Sequence, residues 1–149
     1  MFVCSWLILS VRFGGLAAQS PASWIGTWTL DVVKSAGAAP MPYKRGSRTI
    51  SAVPDGTVTI IDDLVRNRGG VLHTEWTGKF DGLDYQVQGV EVVLTNAIRS
   101  VSERTCELVQ KLDGRIIARV RLELSADGRV LTATSTGNAG TATTVYRQW

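Results

Sequence analysis

One histidine, two cysteines and four prolines in 149 residues leave little material for the chemistries those residues serve. A zinc site needs several convergent ligands, and His73 with Cys106, predicted on opposite faces of a sheet, does not supply them, so no metal is expected. Cys4 falls in the apolar N-terminal segment, which leaves Cys106 alone, unable to form an internal disulfide and readable as a small buried hydrophobe. No serine stands in a nucleophile-elbow setting, and no helix follows Gly69-Gly70 to make it a phosphate loop. An excess of one charge is missing too. Sixteen basic against thirteen acidic residues give a net charge of +3. The densest basic group, Lys44, Arg45 and Arg48, has no aromatic stripe among it and reads as solvated strand face and loop, so nucleic acid is not an expected partner. Together these absences predict no catalytic residue and no cofactor.

The apolar run Phe2-Val3-Cys4-Ser5-Trp6-Leu7-Ile8-Leu9-Ser10-Val11 is too short to remain as a helix across a bilayer of about 30 Å. Small residues follow at Gly14, Gly15, Ala17 and Ala18, the layout of a secretory signal with its cleavage region. Residues 1–22 are therefore expected to be a signal peptide and short leader, with 23–149 as one domain. Export is expected, to a periplasm or the outside, with no stable membrane span once the leader is removed.

What the chain has in quantity is alternation. With 44% hydrophobic and 19% charged residues it is suited to a folded core. Period-two patterns predict strands over 24–33, 47–53, 57–66, 71–80, 85–89, 92–99, 102–112, 115–125, 129–136 and 141–149. Turn signals separate them, among them Pro54-Asp55-Gly56, Asp81-Gly82, Asp113-Gly114 and Asp127-Gly128. Residues 34–46, with Pro40 and Pro42, read as an irregular loop. About ten strands joined by short hairpins suit an all-β, up-and-down antiparallel barrel, with a two-sheet β-sandwich as the alternative.

Faces follow from the same period. Ile116, Ala118, Val120, Leu122 and Leu124 share an inward face, as do Leu72, Thr74, Trp76 and Phe80, and as do Gly26, Trp28 and Leu30. Asp62-Asp63 straddles two faces and reads as strand-end charge. His73 and Glu75 share a wet face, where a base-and-orienter pair is conceivable but solvation is the plainer reading.

The opening Gly26-Thr27-Trp28, the strand count and the closing Thr143-Thr144-Val145-Tyr146-Arg147-Gln148 resemble the calycin superfamily, the lipocalins and intracellular fatty-acid-binding proteins. The stretches GTWTLDVVKS and LSADGRVLTATSTG are similar to a group of small exported bacterial lipocalin-like proteins. The resemblance implies that Trp28 plugs one barrel end, with Arg147 as a possible partner, although alternation sets Arg147 opposite to Tyr146. It also implies an interior that holds a hydrophobic molecule. Where many fatty-acid-binding proteins end in Arg-x-Tyr, this chain has Thr144 before Tyr146, which removes the familiar carboxylate anchor.

The expected inward set contains Trp28, Leu72, Trp76, Phe80, Leu94, Cys106, Leu108, Val120 and Leu122, with Thr74, Asn96, Arg104, Gln110, Thr144, Tyr146 and Gln148 as its polar members. From it the expected ligand-binding residues are Trp28, Trp76, Phe80, Asn96, Arg104, Leu108, Val120, Thr144, Tyr146 and Gln148. The function expected is non-enzymatic binding of a small apolar or amphipathic molecule. The alternatives are an envelope interaction module with a filled barrel and, less favoured, an enzyme using His73.

Overall fold

The computed structural model describes residues 22–149; the expected signal segment lies outside the described residues, apart from Ala22. Eleven strands follow in chain order: β1 Gly26–Leu30, β2 Ala36–Gly37, β3 Tyr43–Ala52, β4 Val58–Arg66, β5 Val71–Gly78, β6 Tyr85–Gln88, β7 Leu94–Ser102, β8 Thr105–Leu112, β9 Arg115–Leu124, β10 Val130–Gly137 and β11 Gly140–Arg147. From β3 to β11 each strand pairs antiparallel with the next, and β3 pairs with β1. The ring closes where β1 meets β11, Thr29 opposite Arg147 and Leu30 opposite Tyr146. The chain is therefore a closed ten-strand antiparallel barrel with one extra short strand, not a sandwich. Closure leaves the ten barrel strands without a free edge, which removes the usual route to edge-to-edge aggregation.

Several expected boundaries move: the first strand is Gly26–Leu30 and not 24–33, since Trp24 belongs to a 3-10 turn, and the strand expected over 92–99 is Leu94–Ser102. The β7–β8 turn falls at Glu103 and Arg104, so the strand predicted to begin at 102 begins at Thr105. Residues 34–46 are not wholly irregular: Ala36–Gly37 pairs with Thr143 and Ala142 of β11, and Tyr43 already belongs to β3. That segment runs as a strap along one end of the barrel, from the β1–β11 seam to the start of β3. Ser35 Oγ donates to the Asp31 carbonyl at 2.7 Å and accepts from the Val145 amide at 3.0 Å. At its other end Asn67 Nδ2 donates to the Met41 carbonyl at 2.7 Å.

A β-bulge corrects one face assignment. Between Gln110 and Lys111 the register of β8 on β9 shifts, so that Ala118 faces Gln110 but Ile116 faces Lys111. Ile116 consequently turns outward and is 47% exposed, while Leu122 and Leu124 remain in the core.

The opposite end is packed solid. Trp28, Val58, Ile98, Cys106 and Leu131 are fully buried there, and burial of each such side chain is worth roughly 1.5–3 kcal/mol. A single 3-10 turn, Ala22–Trp24, seals the end. Ser23 Oγ and Trp24 Nε1 each donate to the Glu103 carbonyl at 3.1 Å, and Trp28 Nε1 donates to the Trp24 carbonyl at 3.0 Å. Gly26 has a φ of 142°, and a Cβ there would collide with the Gln148 amide that donates to the Ile25 carbonyl at 3.2 Å. The glycine of Gly-x-Trp is thus favoured by its positive φ, with the end of the Gln148 side chain occupying the space that a Cβ would take.

Candidate functional site

Register decides which side chains meet inside. Trp28 on β1 is opposite Arg48 on β3, Arg48 is opposite Asp62 on β4, and Asp62 is opposite Thr74 on β5. Directly opposed residues in an antiparallel sheet share a face, so Arg48 and Asp62 both point inward with Trp28. Their side chains form a two-point ion pair, Nε to Oδ1 at 2.7 Å and Nη2 to Oδ2 at 2.8 Å. The guanidinium also lies over the Tyr146 ring, 5.0 Å from its centroid, an attractive cation–π placement.

This overturns the solvated reading of Arg48 and the strand-end reading of Asp62. The signal was present in the alternation: Arg48 is two residues from buried Ile50, and Asp62 stands between buried Ile60 and Leu64. Burial works against the Arg48 charge, but the neighbouring Asp62 carboxylate outweighs it and holds the guanidinium more firmly protonated than in water. Burial pushes the Tyr146 hydroxyl above the ordinary phenol range, Asp62 and Tyr43 adding to the effect while Arg48 opposes it.

The pair stands close to open space. Although both side chains point into a closed barrel, they keep 18% and 17% of their surface accessible. Next to Tyr146 lies a pocket of about 210 Å³, bordered by Leu30, Tyr43, Thr144 and Tyr146 and by strap residues such as Ala39 and Met41. The hydroxyls of Thr144 and Tyr146 bond to no other described residue. Across the barrel, Gln110 Nε2 donates to Asn96 Oδ1 at 3.2 Å, and Trp76 Nε1 donates to the Asn96 carbonyl at 3.1 Å. Arg48, Asp62, Thr74, Asn96, Gln110 and Thr144 thus form a belt of polar residues on the inner face.

The expected site residues divide between the two ends. Thr144 and Tyr146 border the pocket. Asn96, Leu108 and Val120 face inward and are half-buried. Trp28, Trp76 and Phe80 are buried in the core, with Trp76 6.2 Å from Phe80 and in edge contact with Tyr85 at 5.8 Å. Gln148 helps to seal the packed end. Arg104 is exposed in the β7–β8 turn, a consequence of the shifted boundary, and does not face inward. Arg147 is not over Trp28: it donates to Asp31 Oδ2 at 2.6 Å on the outer face, and the arginine beside Trp28 is Arg48.

On the outer wall, His73 Nδ1 meets Asp63 Oδ1 at 2.6 Å and is not oriented by Glu75. Among the described residues no cluster of three or more His, Cys, Asp or Glu could hold a metal ion, and no helix is long and apolar enough to cross a membrane.

The closed ten-strand antiparallel barrel is a fold shared with solved fatty-acid-binding proteins. Solved structures with this arrangement include a Schistosoma mansoni fatty acid binding protein in complex with arachidonic acid, 14% identical with a TM-score of 0.62 over 87% of this chain and 98% of that one. The fluorescent protein UnaG is 16% identical with a TM-score of 0.60, covering 86% and 98%. Echinococcus granulosus fatty-acid-binding protein 1 is 16% identical with a TM-score of 0.59, covering 85% and 98%. No family model and no curated protein sequence matches the chain.

Proposed function

We propose that this protein is a non-enzymatic carrier or receptor for a small amphipathic molecule, bound in the strap end of the barrel with its polar part near Tyr146 and Arg48. The observation that carries the reading is the partly accessible Arg48–Asp62 pair, whose guanidinium lies over Tyr146 at the border of the 210 Å³ pocket. A barrel interior that only packed itself would have no use for a charged pair left partly open, because desolvating such groups costs several kcal/mol. About 210 Å³ is below the roughly 300–1,000 Å³ of a drug-sized site; it suits a small molecule or one end of a longer one. The fold neighbours that are fatty-acid-binding proteins support the same reading at the level of architecture. The apolar leader supports action outside the cytoplasm, which N-terminal sequencing of the protein from its host tests.

The binding test uses a neutral fluorescent probe, N-phenylnaphthylamine. Saturable binding at about one molecule per barrel is expected, with quenching of tryptophan emission. It should be lost in Thr144→Trp, which fills the pocket. No saturable binding to the wild-type protein refutes the proposal.

One observation favours a second reading. A larger hollow of about 450 Å³ is bordered by Glu107, Arg119, Arg121, Thr134 and Thr136, which face outward, together with Leu108 and Val120. It would serve a protein partner, and substitution of Arg119 and Arg121 would then abolish capture of that partner without altering probe binding.

A further inference from the structure

The interior arginine is already neutralised, and this bears on what the barrel can hold. Resting on the binding reading above, we propose that the site selects uncharged polar heads, such as alcohols or amides, and discriminates against carboxylates of the same chain length.

The argument starts from the stoichiometry of charge. Away from the rims, Arg48 and Asp62 are the charged side chains on the inner face among the described residues, one of each sign. Both guanidinium nitrogens that face Asp62 are committed, Nε to one carboxylate oxygen and Nη2 to the other. Two-point geometry of this kind is among the strongest forms of the Arg–carboxylate bond. Position 144, on the last strand and bordering the pocket, is a threonine.

An incoming carboxylate near Tyr146 would approach Asp62 as a like charge, with no unpaired cation to offset the loss of its hydration. Like-charge juxtaposition of this kind is strongly unfavourable where water is scarce. A neutral head meets no such penalty. The donors of Arg48 that Asp62 does not use, with the hydroxyls of Tyr146 and Thr144, offer both donors and acceptors. A hydroxyl, carbonyl or amide can pair with them and leave the ion pair intact.

The experiment compares decan-1-ol, decanamide and decanoate as competitors for N-phenylnaphthylamine on the wild-type protein at about pH 8, where the acid is ionised. The alcohol and the amide should displace the probe at concentrations about tenfold or more below that of decanoate. The amide matches the carboxylate in shape, so a gap between those two is due to charge. In Asp62→Asn, whose fold is checked by circular dichroism, Arg48 is released and the gap should close or reverse.

Decanoate displacing the probe as well as decanamide from the wild type overturns the selectivity while the binding reading stands. A wild-type gap that persists undiminished in folded Asp62→Asn overturns its assignment to the ion pair. If Asp62→Asn does not fold, the wild-type comparison of decanamide with decanoate decides. Failure of the probe itself to bind overturns the binding reading, and this proposal with it.

Discussion

Arg48 and Asp62, fourteen residues apart in the chain, face each other across β3 and β4 and join by two hydrogen bonds of 2.7 and 2.8 Å on the inner wall of the barrel. Each neutralises the other where water is limited, and neither has a second opposite charge beside it on that wall. Their energies are therefore coupled, and the pair is better understood as one polar unit than as two residues.

That coupling predicts a non-additive pattern in stability. Asp62→Leu or Arg48→Met alone leaves one inward charge unpaired and should cost on the order of 2–3 kcal/mol, below the value for fully buried pairs because both side chains keep some exposure. The double replacement should recover most of the loss. Urea denaturation of the four proteins measures the coupling, and simple additivity would refute it.

The packed end predicts a second effect. Trp28 is fully buried and its indole nitrogen is bonded to the Trp24 carbonyl. Trp28→Ala should destabilise by about 3–5 kcal/mol. Thr144→Trp, at the other end, should abolish probe binding at much smaller cost. Denaturation and probe titration on both variants separate the structural end from the binding end.

The third prediction concerns acid. The Arg147 hydrogen bond holds the Asp31 carboxyl below its ordinary value, with the Lys34 amide assisting. Asp127 is lowered similarly, by Ser125 and the Arg129 amide. A carboxyl whose folded-state pKa is depressed adds stability above its unfolded-state pKa, and that contribution is lost as the pH falls through the folded-state value. The melting temperature should thus decline as the pH drops below about 4. Asp31→Asn should melt lower than wild type at neutral pH and show a shallower acid decline; parallel acid profiles would contradict the assignment.

Cys106 supplies the fourth. It is fully buried, and burial pushes its thiol up to about 12, a contact with Ser100 working weakly the other way. At neutral pH it is neither ionised nor reachable, so it should resist a thiol-labelling reagent in the native protein and react at once in urea. Rapid native labelling, read by mass spectrometry, would show that the packed end opens.

Local chemistry made much of this protein legible. Alternation placed Leu72, Thr74, Trp76, Leu122 and Leu124 on the inward face because a strand's side chains must alternate. Turn residues such as Asp113-Gly114 marked hairpins because glycine there tolerates a positive φ, 77° at Gly114. The same pattern already set Arg48 in line with Ile50, and Asp62 in line with Ile60 and Leu64. Charge hid the signal, since an isolated arginine or aspartate is normally solvated and only a partner of opposite sign makes an inward position tenable.

The sequence by itself determined the all-β class, most of the strands and most of their wet and dry faces, because these depend on a period of two and on short-range turn chemistry; it left barrel and sandwich open. Tertiary structure alone decided three further matters. The pairing of β1 with β11 closed the barrel, the bulge at Gln110 and Lys111 turned Ile116 outward, and the register of β3 on β4 brought Arg48 to Asp62. Each depends on which distant residue stands opposite which. A one-residue slip would reverse the answer without altering the local pattern of either strand.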